Sequence, residues 1–297
     1  MIGKALTAEL LAKGYSVVIL TRKPDRERSA DPHLGYAAWD PQNKTIDAAA
    51  IEKSDYIIHL AGANIAEKRW TGKRKMEIVE SRVSGSSLLV KALKEIPNKV
   101  RAVISASAIG WYGIDPVIPN SNPFTEDRPP DASFLGEACK RWEESIDPVS
   151  QMGKRLVKLR TGIVLSKSGG ALSEFKKPLK FGIATILGNG RQVISWIHLA
   201  DLTRMYIQAI TDNNMEGVFN AVSPQPVSNK TLVLELAKQV KGKFYVPVYV
   251  PSFALKLALG EMSIEVLKST TVSCEKAHRH GFVFLFPEIT HALESTA

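Results

Sequence analysis

Gly14-Tyr15-Ser16-Val17-Val18-Ile19-Leu20-Thr21-Arg22 is the stretch on which the fold turns. Tyr15 to Leu20 is an apolar run, rich in β-branched residues and about as long as a strand buried on both faces. Toward the amino end, Thr7 to Lys13 carries a short helical pattern, with Leu6, Leu10 and Leu11 on one face. Gly14 stands where a helix C′ glycine belongs. In the other direction the strand ends at Thr21-Arg22-Lys23-Pro24. Helix, tight turn and buried strand in this order form the second half of a βαβ unit, whose strands run parallel.

Strand-like and helix-like segments keep alternating through the first two-thirds of the chain, which argues for a parallel sheet with helices on both faces. Residues 35–39 read as a weak strand and 46–53 as a short helix. Tyr56-Ile57-Ile58-His59-Leu60 is an unbroken apolar strand that ends in Ala61-Gly62-Ala63-Asn64. A long helix is expected over 72–94, a buried strand over 102–105, a helix over 134–145, and a strand from 155 that runs on to 165. Residues 115–131 are rich in Pro, Asn and Asp, and a loop of this length usually covers a site. From Ser166 glycines multiply and short strands replace βα units, until residues 218–222 offer a strand that rejoins the sheet. The expected architecture is a Rossmann-type, doubly wound parallel sheet with a smaller α+β lobe. Residues 1–168 and 195–222 would form the nucleotide-binding domain, and 169–194 and 223–297 the lobe.

Composition narrows the function classes. A hydrophobic content of 44% and a charged content of 23% are ordinary for a globular protein. The net charge of +9 suits an anionic cofactor, and no nucleic-acid motif accompanies it. No apolar stretch is long enough to span a bilayer, so neither a nucleic acid nor a membrane is expected as partner. Two cysteines, Cys139 and Cys274, imply no disulfide framework and fit a reducing, cytoplasmic setting. His278 and His280 lack companion ligands at tetrahedral spacing, so no metal site is expected. Oligomeric state is not legible.

The cation after the first strand points to the cofactor. In a Rossmann unit an acidic residue there holds the ribose hydroxyl of NAD, whereas an arginine accommodates the 2′-phosphate of NADP. Thr21 and Arg22, seconded by Lys23, therefore favour NADP(H), because a guanidinium pairs bidentately with phosphate. Gly3 stands where the last glycine of the phosphate loop belongs. The first strand and the earlier glycines are missing, which leads to the expectation of a clipped start and weak cofactor binding. Leu60, Ala61 and Gly62 would pass beside the adenosine ribose and pyrophosphate. Glu77 and Arg82, about a turn and a half apart on the long helix, could line the same cleft or form a plain surface ion pair. Val164 would pack near the nicotinamide, or serve as an ordinary core residue.

Taken in order, Ile2-Gly3-x-Ala5-Leu6, Leu20-Thr21-Arg22, Leu60-Ala61-Gly62-x-Asn64-Ile65, Arg69-Trp70, Ser81-Arg82, Ser105-Ala106-Ser107-Ala108, Leu159-Arg160-x-Gly162, Trp196-Ile197-His198-x-x-Asp201 and Gly281-Phe282 cover essentially the whole chain. They resemble the extended short-chain dehydrogenase/reductases, and most closely the atypical, NAD-dependent epimerase/dehydratase-like group. The resemblance implies hydride transfer to or from nicotinamide, with a tyrosine moving the substrate proton. A lysine four residues on would lower that tyrosine's pKa, and a nearby hydroxyl would polarise the same oxygen. Ser107 occupies the hydroxyl's position. The positions expected for tyrosine and lysine hold Leu135 and Cys139, so the standard relay is missing, and Tyr112 is the nearest substitute acid in sequence. Two functions follow. The first is an NADP(H)-dependent oxidoreductase or epimerase acting on a small carbonyl or sugar-like substrate. The second is a binding module that senses NADPH or docks a partner.

Overall fold

The computed structural model describes residues 1–296. Four parallel strands form the main sheet, in the order Gly217–Ala221, Arg155–Thr161, Ala102–Ala108, Tyr56–His59. A second sheet pairs Val17–Thr21 in parallel with Leu34–Asp40, whose far end meets Thr45–Ile46 antiparallel. The architecture is the expected doubly wound α/β fold, and the strand at 217–221 does rejoin the sheet. No ladder joins Val17–Thr21 to Tyr56–His59, so each presents an unpaired edge to the gap between the sheets.

The strands are apolar on both sides because helices cover both. Along Ala102–Ala108, Ala102 and Ile104 face one core while Val103 faces another, as the two-residue period of a strand requires. The first core receives Leu6 and Leu10 of the Ile2–Ala12 helix and Leu202, Met205 and Tyr206 of the Leu199–Thr211 helix. The second receives Ile51, Leu89 and Leu93, and Ile146 from the far end of the Phe134–Ile146 helix. The Gly72–Glu95 helix begins at Thr71, whose hydroxyl accepts the Arg74 amide at 3.2 Å. Such a cap contributes about 0.5–2 kcal/mol.

The strand expected to run from 155 to 165 breaks at Gly162. The next strand, Ile163–Leu165, pairs instead with Trp196–His198. A Cβ at Gly162 would lie 2.6 Å from the Ser195 carbonyl oxygen, so only glycine lets these backbones approach.

The lobe pairs Ile183–Leu187 with Val246–Val250 in parallel. Leu172, Leu179, Ile186, Leu232, Leu236 and Leu293 form its core. Its expected extent needs a correction, because Val272, Cys274, Phe282 and Phe284 pack into the first core of the sheet domain. Buried Asp201 draws them there by accepting the Leu285 and Phe286 amides at 2.7 and 2.9 Å. Among the described residues, no helix is long and apolar enough to cross a membrane, and no cluster of His, Cys, Asp and Glu could hold a metal ion.

Candidate functional site

In an open α/β sheet, ligands bind outside the carboxyl ends of the strands. Here those ends bring together Thr21-Arg22, Leu60-Ala61-Gly62, Ser107-Ala108 and the Gly162–Val164 turn. The amino end of the Ile2–Ala12 helix arrives at the same place. A Cβ on Gly3 would sit 3.7 Å from Leu60, and one on Gly170 would sit 3.3 Å from the Val164 carbonyl oxygen and 3.4 Å from the Met1 side chain. That helix has no side-chain cap, so its first-turn amides are free to face an anion.

Cations line this side. Arg22 is exposed, and among the described residues its guanidinium has no ion pair or hydrogen bond. Asp40, at the end of the neighbouring strand, is occupied by the side chain and amide of Asn43 at 2.9 and 3.3 Å. Those bonds lower its pKa, and Arg22 adds a minor attraction. Arg82 is half-buried, lies 4.9 Å over the Trp142 ring and donates to the Ile78 carbonyl at 2.9 Å. No carboxylate pairs with it among the described residues, and burial holds its pKa below the ordinary value. Gly62 lies directly beneath it, since a Cβ there would fall 3.1 Å from two Arg82 atoms. The Ala63 amide donates to Ser81 at 2.9 Å and ties the Gly62 turn to the long helix.

Glu77 does not join Arg82. Its carboxylate lies 2.7 Å from Arg74 and is 56% exposed, and the bond from Arg74 lowers its pKa. The surface-pair reading therefore corrects the expectation that Glu77 lines the cleft. Arg74, which in sequence is one cation of the basic cluster at 68–75, is 95% shielded: it also contacts Glu67 at 3.2 Å and the Asn64 carbonyl, and so braces the turn that follows Gly62.

The proton-relay side is organised differently. Ser107 is 3% exposed and donates to Glu143 at 2.6 Å. Glu143 receives Arg160 bidentately at 2.8 and 3.0 Å. Arg160 donates onward to the Tyr112 hydroxyl at 3.1 Å and the Glu126 carbonyl at 3.1 Å, and Tyr112 donates to Asn220 at 2.7 Å. Tyr112 is fully buried and stacked on Phe124, and burial pushes its pKa up to about 12. This corrects the expectation for Tyr112: a phenol with no exposed face and a committed proton cannot serve a substrate as acid. The Ser107 proton is likewise committed inside the protein. Of this network only Ser107, Tyr112 and the Leu159-Arg160 motif stood out in sequence. The Glu143–Arg160 pair was missed, although its charges lie 17 residues apart on a helix and a strand that follow each other in sequence.

Leu135 and Cys139 lie together against the turn that follows the Ala102–Ala108 strand. A Cβ on Gly110 would meet Leu135 at 3.2 Å and the Cys139 sulfur at 3.5 Å, and the thiol points to the Ala108 carbonyl. Burial, then the nearby Glu143, pushes the Cys139 thiol up to about 12, so it supplies no thiolate. The 115–131 loop closes over this end. Buried Asp115 fixes it by accepting from Asn120, Ser269 and Thr271 at 2.7–2.9 Å. Of the three tryptophans that could have stacked on a substrate ring, Trp196 is fully buried and Trp111 is covered by Arg160 at 3.6 Å, while Trp70 packs edge-on to Phe134.

A doubly wound sheet with free cations on one side of the strand ends and an altered relay helix on the other is the arrangement of an atypical extended short-chain dehydrogenase/reductase. The chain belongs to the epimerase family. Residues 1–146 match the NAD dependent epimerase/dehydratase family, and residues 250–296 match a domain of unknown function, DUF1731. It is 33% identical over 300 residues to the epimerase family protein Mb2239 of Mycobacterium bovis, covering 99% of this chain and 93% of that one. The epimerase family protein YfhF of Bacillus subtilis is 32% identical over 297 residues, covering 98% and 93%. Among solved structures, the human epimerase family protein SDR39U1 (isoform 2) with NADPH superposes at a TM-score of 0.85 with 27% identity, covering 100% of this chain and 96% of that one. A nucleoside-diphosphate sugar epimerase from Corynebacterium glutamicum gives 0.75 with 31% identity, over 99% of this chain and 55% of that one.

Proposed function

We propose that this protein binds NADP(H) at the carboxyl ends of its parallel strands and acts through that binding, as a dinucleotide sensor or partner-binding module. Two observations test the fit of the residues to the group. Arg82 is a half-buried cation with no carboxylate partner among the described residues, and Gly62 beneath it leaves backbone open to close approach. Arg22 would take the 2′-phosphate, the Gly3 helix end and Arg82 the pyrophosphate or ribose, and Val164 the nicotinamide side. Nicotinamide, when bound, supplies or accepts a hydride. The reading of binding without the usual catalysis is carried by one observation: the Phe134–Ile146 helix carries no tyrosine, and Tyr112 is sealed away on Asn220. The NADPH in the human relative's structure supports the choice of cofactor. Both cysteines are buried and free, which suits the reducing cytosol.

The second reading is an oxidoreductase or epimerase on a small carbonyl or sugar-like substrate. What favours it is Ser107, which is held at the strand end where the superfamily's polarising hydroxyl stands.

Calorimetric titration with NADPH and NADH tests the first reading. NADPH should bind more tightly, and Arg22→Ser should abolish the preference by weakening NADPH about tenfold or more. Equal affinity for the two dinucleotides, or no effect of Arg22→Ser, overturns it. Consumption of bound NADPH with a panel of aldehydes and ketones would instead establish the second.

A further inference from the structure

The lobe ends in an exposed apolar surface flanked by lysines. Two turns meet there, one after the Ala171–Leu179 helix and one after the Asn229–Lys241 helix. Each contains a glycine in the left-handed region, Gly182 at φ +76° and Gly242 at φ +62°. The Val246 amide donates to the Gly182 carbonyl at 2.8 Å, and the Lys241 ammonium to the Lys180 carbonyl at 3.2 Å. The turns therefore lie side by side, and each raises a phenylalanine into solvent: Phe181 is 84% exposed and Phe244 is 86% exposed. Single exposed apolar residues are common, but paired phenylalanines on adjoining turns form a patch. The patch continues along the outer strand through Val246, 63% exposed, and Val248, 41% exposed.

The charge around these rings has one sign. Residues 176–183 and 238–246 contain lysines at 176, 177, 180, 238, 241 and 243 and no Asp or Glu. Lys177 is neutralised by Glu174 at 2.7 Å, whereas Lys180 and Lys243, next to the two phenylalanines, form no ion pair among the described residues. A lysine in the last turn of a helix complements the helix dipole, which accounts for Lys176, Lys177, Lys238 and Lys241. It accounts for neither the exposed rings nor the cations beyond the helix ends.

We propose that this tip is a peripheral membrane-docking site. Phe181 and Phe244 enter the acyl boundary of a bilayer while Lys180, Lys241 and Lys243 lie among anionic headgroups. A bilayer fits better than a protein partner because two largely exposed rings stand beside lysines that form no ion pair among the described residues, and a fluid anionic interface takes up apolar rings and cations together. Apolar insertion together with several basic residues is the two-part signal that holds a protein at an anionic surface without a spanning helix. The inference is independent of cofactor binding.

The test is co-sedimentation of the full chain with phosphatidylcholine vesicles, with and without phosphatidylserine. The protein should pellet with the phosphatidylserine vesicles alone. Phe181→Ser with Phe244→Ser should weaken binding about tenfold or more. Lys180→Gln with Lys243→Gln should weaken it and flatten its dependence on salt. All four positions are on exposed turns, so melting temperatures should stay at the native value, confirming folded protein. In Phe244→Trp, indole emission should shift to the blue on binding. Failure to pellet with either vesicle overturns the proposal. Wild-type pelleting by the double serine variant does so as well, since net charge alone would then explain it. If Phe181→Ser with Phe244→Ser changes the sedimentation of lipid-free protein instead, the patch joins two copies of the chain and the membrane proposal falls.

Discussion

The two sides of the strand-end cleft treat polar groups in opposite ways. On the dinucleotide side, Arg22 and Arg82 have no acidic partner among the described residues, and the first helix has no side-chain cap. On the relay side, Ser107, Glu143, Arg160, Tyr112 and Asn220 satisfy one another in an unbroken chain. A half-buried charge without a partner is costly, so Arg82 is a cation with interactions left to make. In a fully satisfied network every donor and acceptor is committed inside the protein.

The strongest way to break this comparison is at Glu143. It is 97% shielded and holds Arg160 in two hydrogen bonds, so Glu143→Ala leaves a buried guanidinium without its counter-charge. Loss of one partner of a buried pair costs about 3–5 kcal/mol, which chemical denaturation would read directly. A loss under about 1 kcal/mol would mean that water reaches Arg160 and that the network is not the closed structure described.

Acid probes the floor beneath the dinucleotide side. His59 is buried against Ser86 at 3.2 Å and edge-on to Trp39, and burial drives its pKa down from 6.5 to about 4. A base whose folded pKa is depressed stays neutral in the fold and charges first in the unfolded chain. Its contribution is therefore complete above pH 6.5 and lost as pH falls toward 4. The loss is on the order of 3 kcal/mol. Denaturation curves across that window should show it, and His59→Gln should flatten them. An unchanged slope in the variant would assign the acid sensitivity elsewhere.

Tyr112→Phe separates the two sides more finely. It removes a hydroxyl that donates to Asn220 and accepts from Arg160, leaving both short of a partner at a cost of about 1–3 kcal/mol. NADPH affinity should not change. If the variant binds NADPH more weakly at unchanged stability, Tyr112 belongs to the site after all.

What the sequence disclosed follows the same division. The strand at 17–21 and its terminal arginine were legible because periodicity and strand-end position are local properties of the chain. Arg82 was legible as a cation, but its bare environment was not, since that depends on Glu77 turning to Arg74. Arg160 stood out only as part of a motif, and its pairing with Glu143 gave no signal, because it depends on how the 134–146 helix seats against the sheet. Tyr112 misled for a related reason: a tyrosine near a strand end reads alike whether its hydroxyl faces a cleft or Asn220. Val272–Phe284 was assigned to the wrong core because nothing local shows that Asp201 will capture the backbone at 285 and 286.

The smallest effect expected is at Gly62, where it tests whether Arg82 and the backbone beneath it act as one device. A Cβ added there would fall 3.1 Å from Arg82 carbons, tighter than ordinary contact, but the obstacle is a flexible side chain that can shift by a few tenths of an ångström. Gly62 has no left-handed φ, so Gly62→Ala adds no backbone strain. Stability should therefore change by less than about 1 kcal/mol, in either direction. NADPH affinity should still fall several-fold, because the displaced guanidinium and the new methyl both intrude where phosphate oxygens would approach the backbone. In Arg82→Ala the obstacle is gone, so adding Gly62→Ala to it should cost less affinity than in the native background. That non-additivity is the signature of two residues in contact serving one ligand. Simple additivity would mean that Arg82 is an anion site in its own right, separate from the turn beneath it.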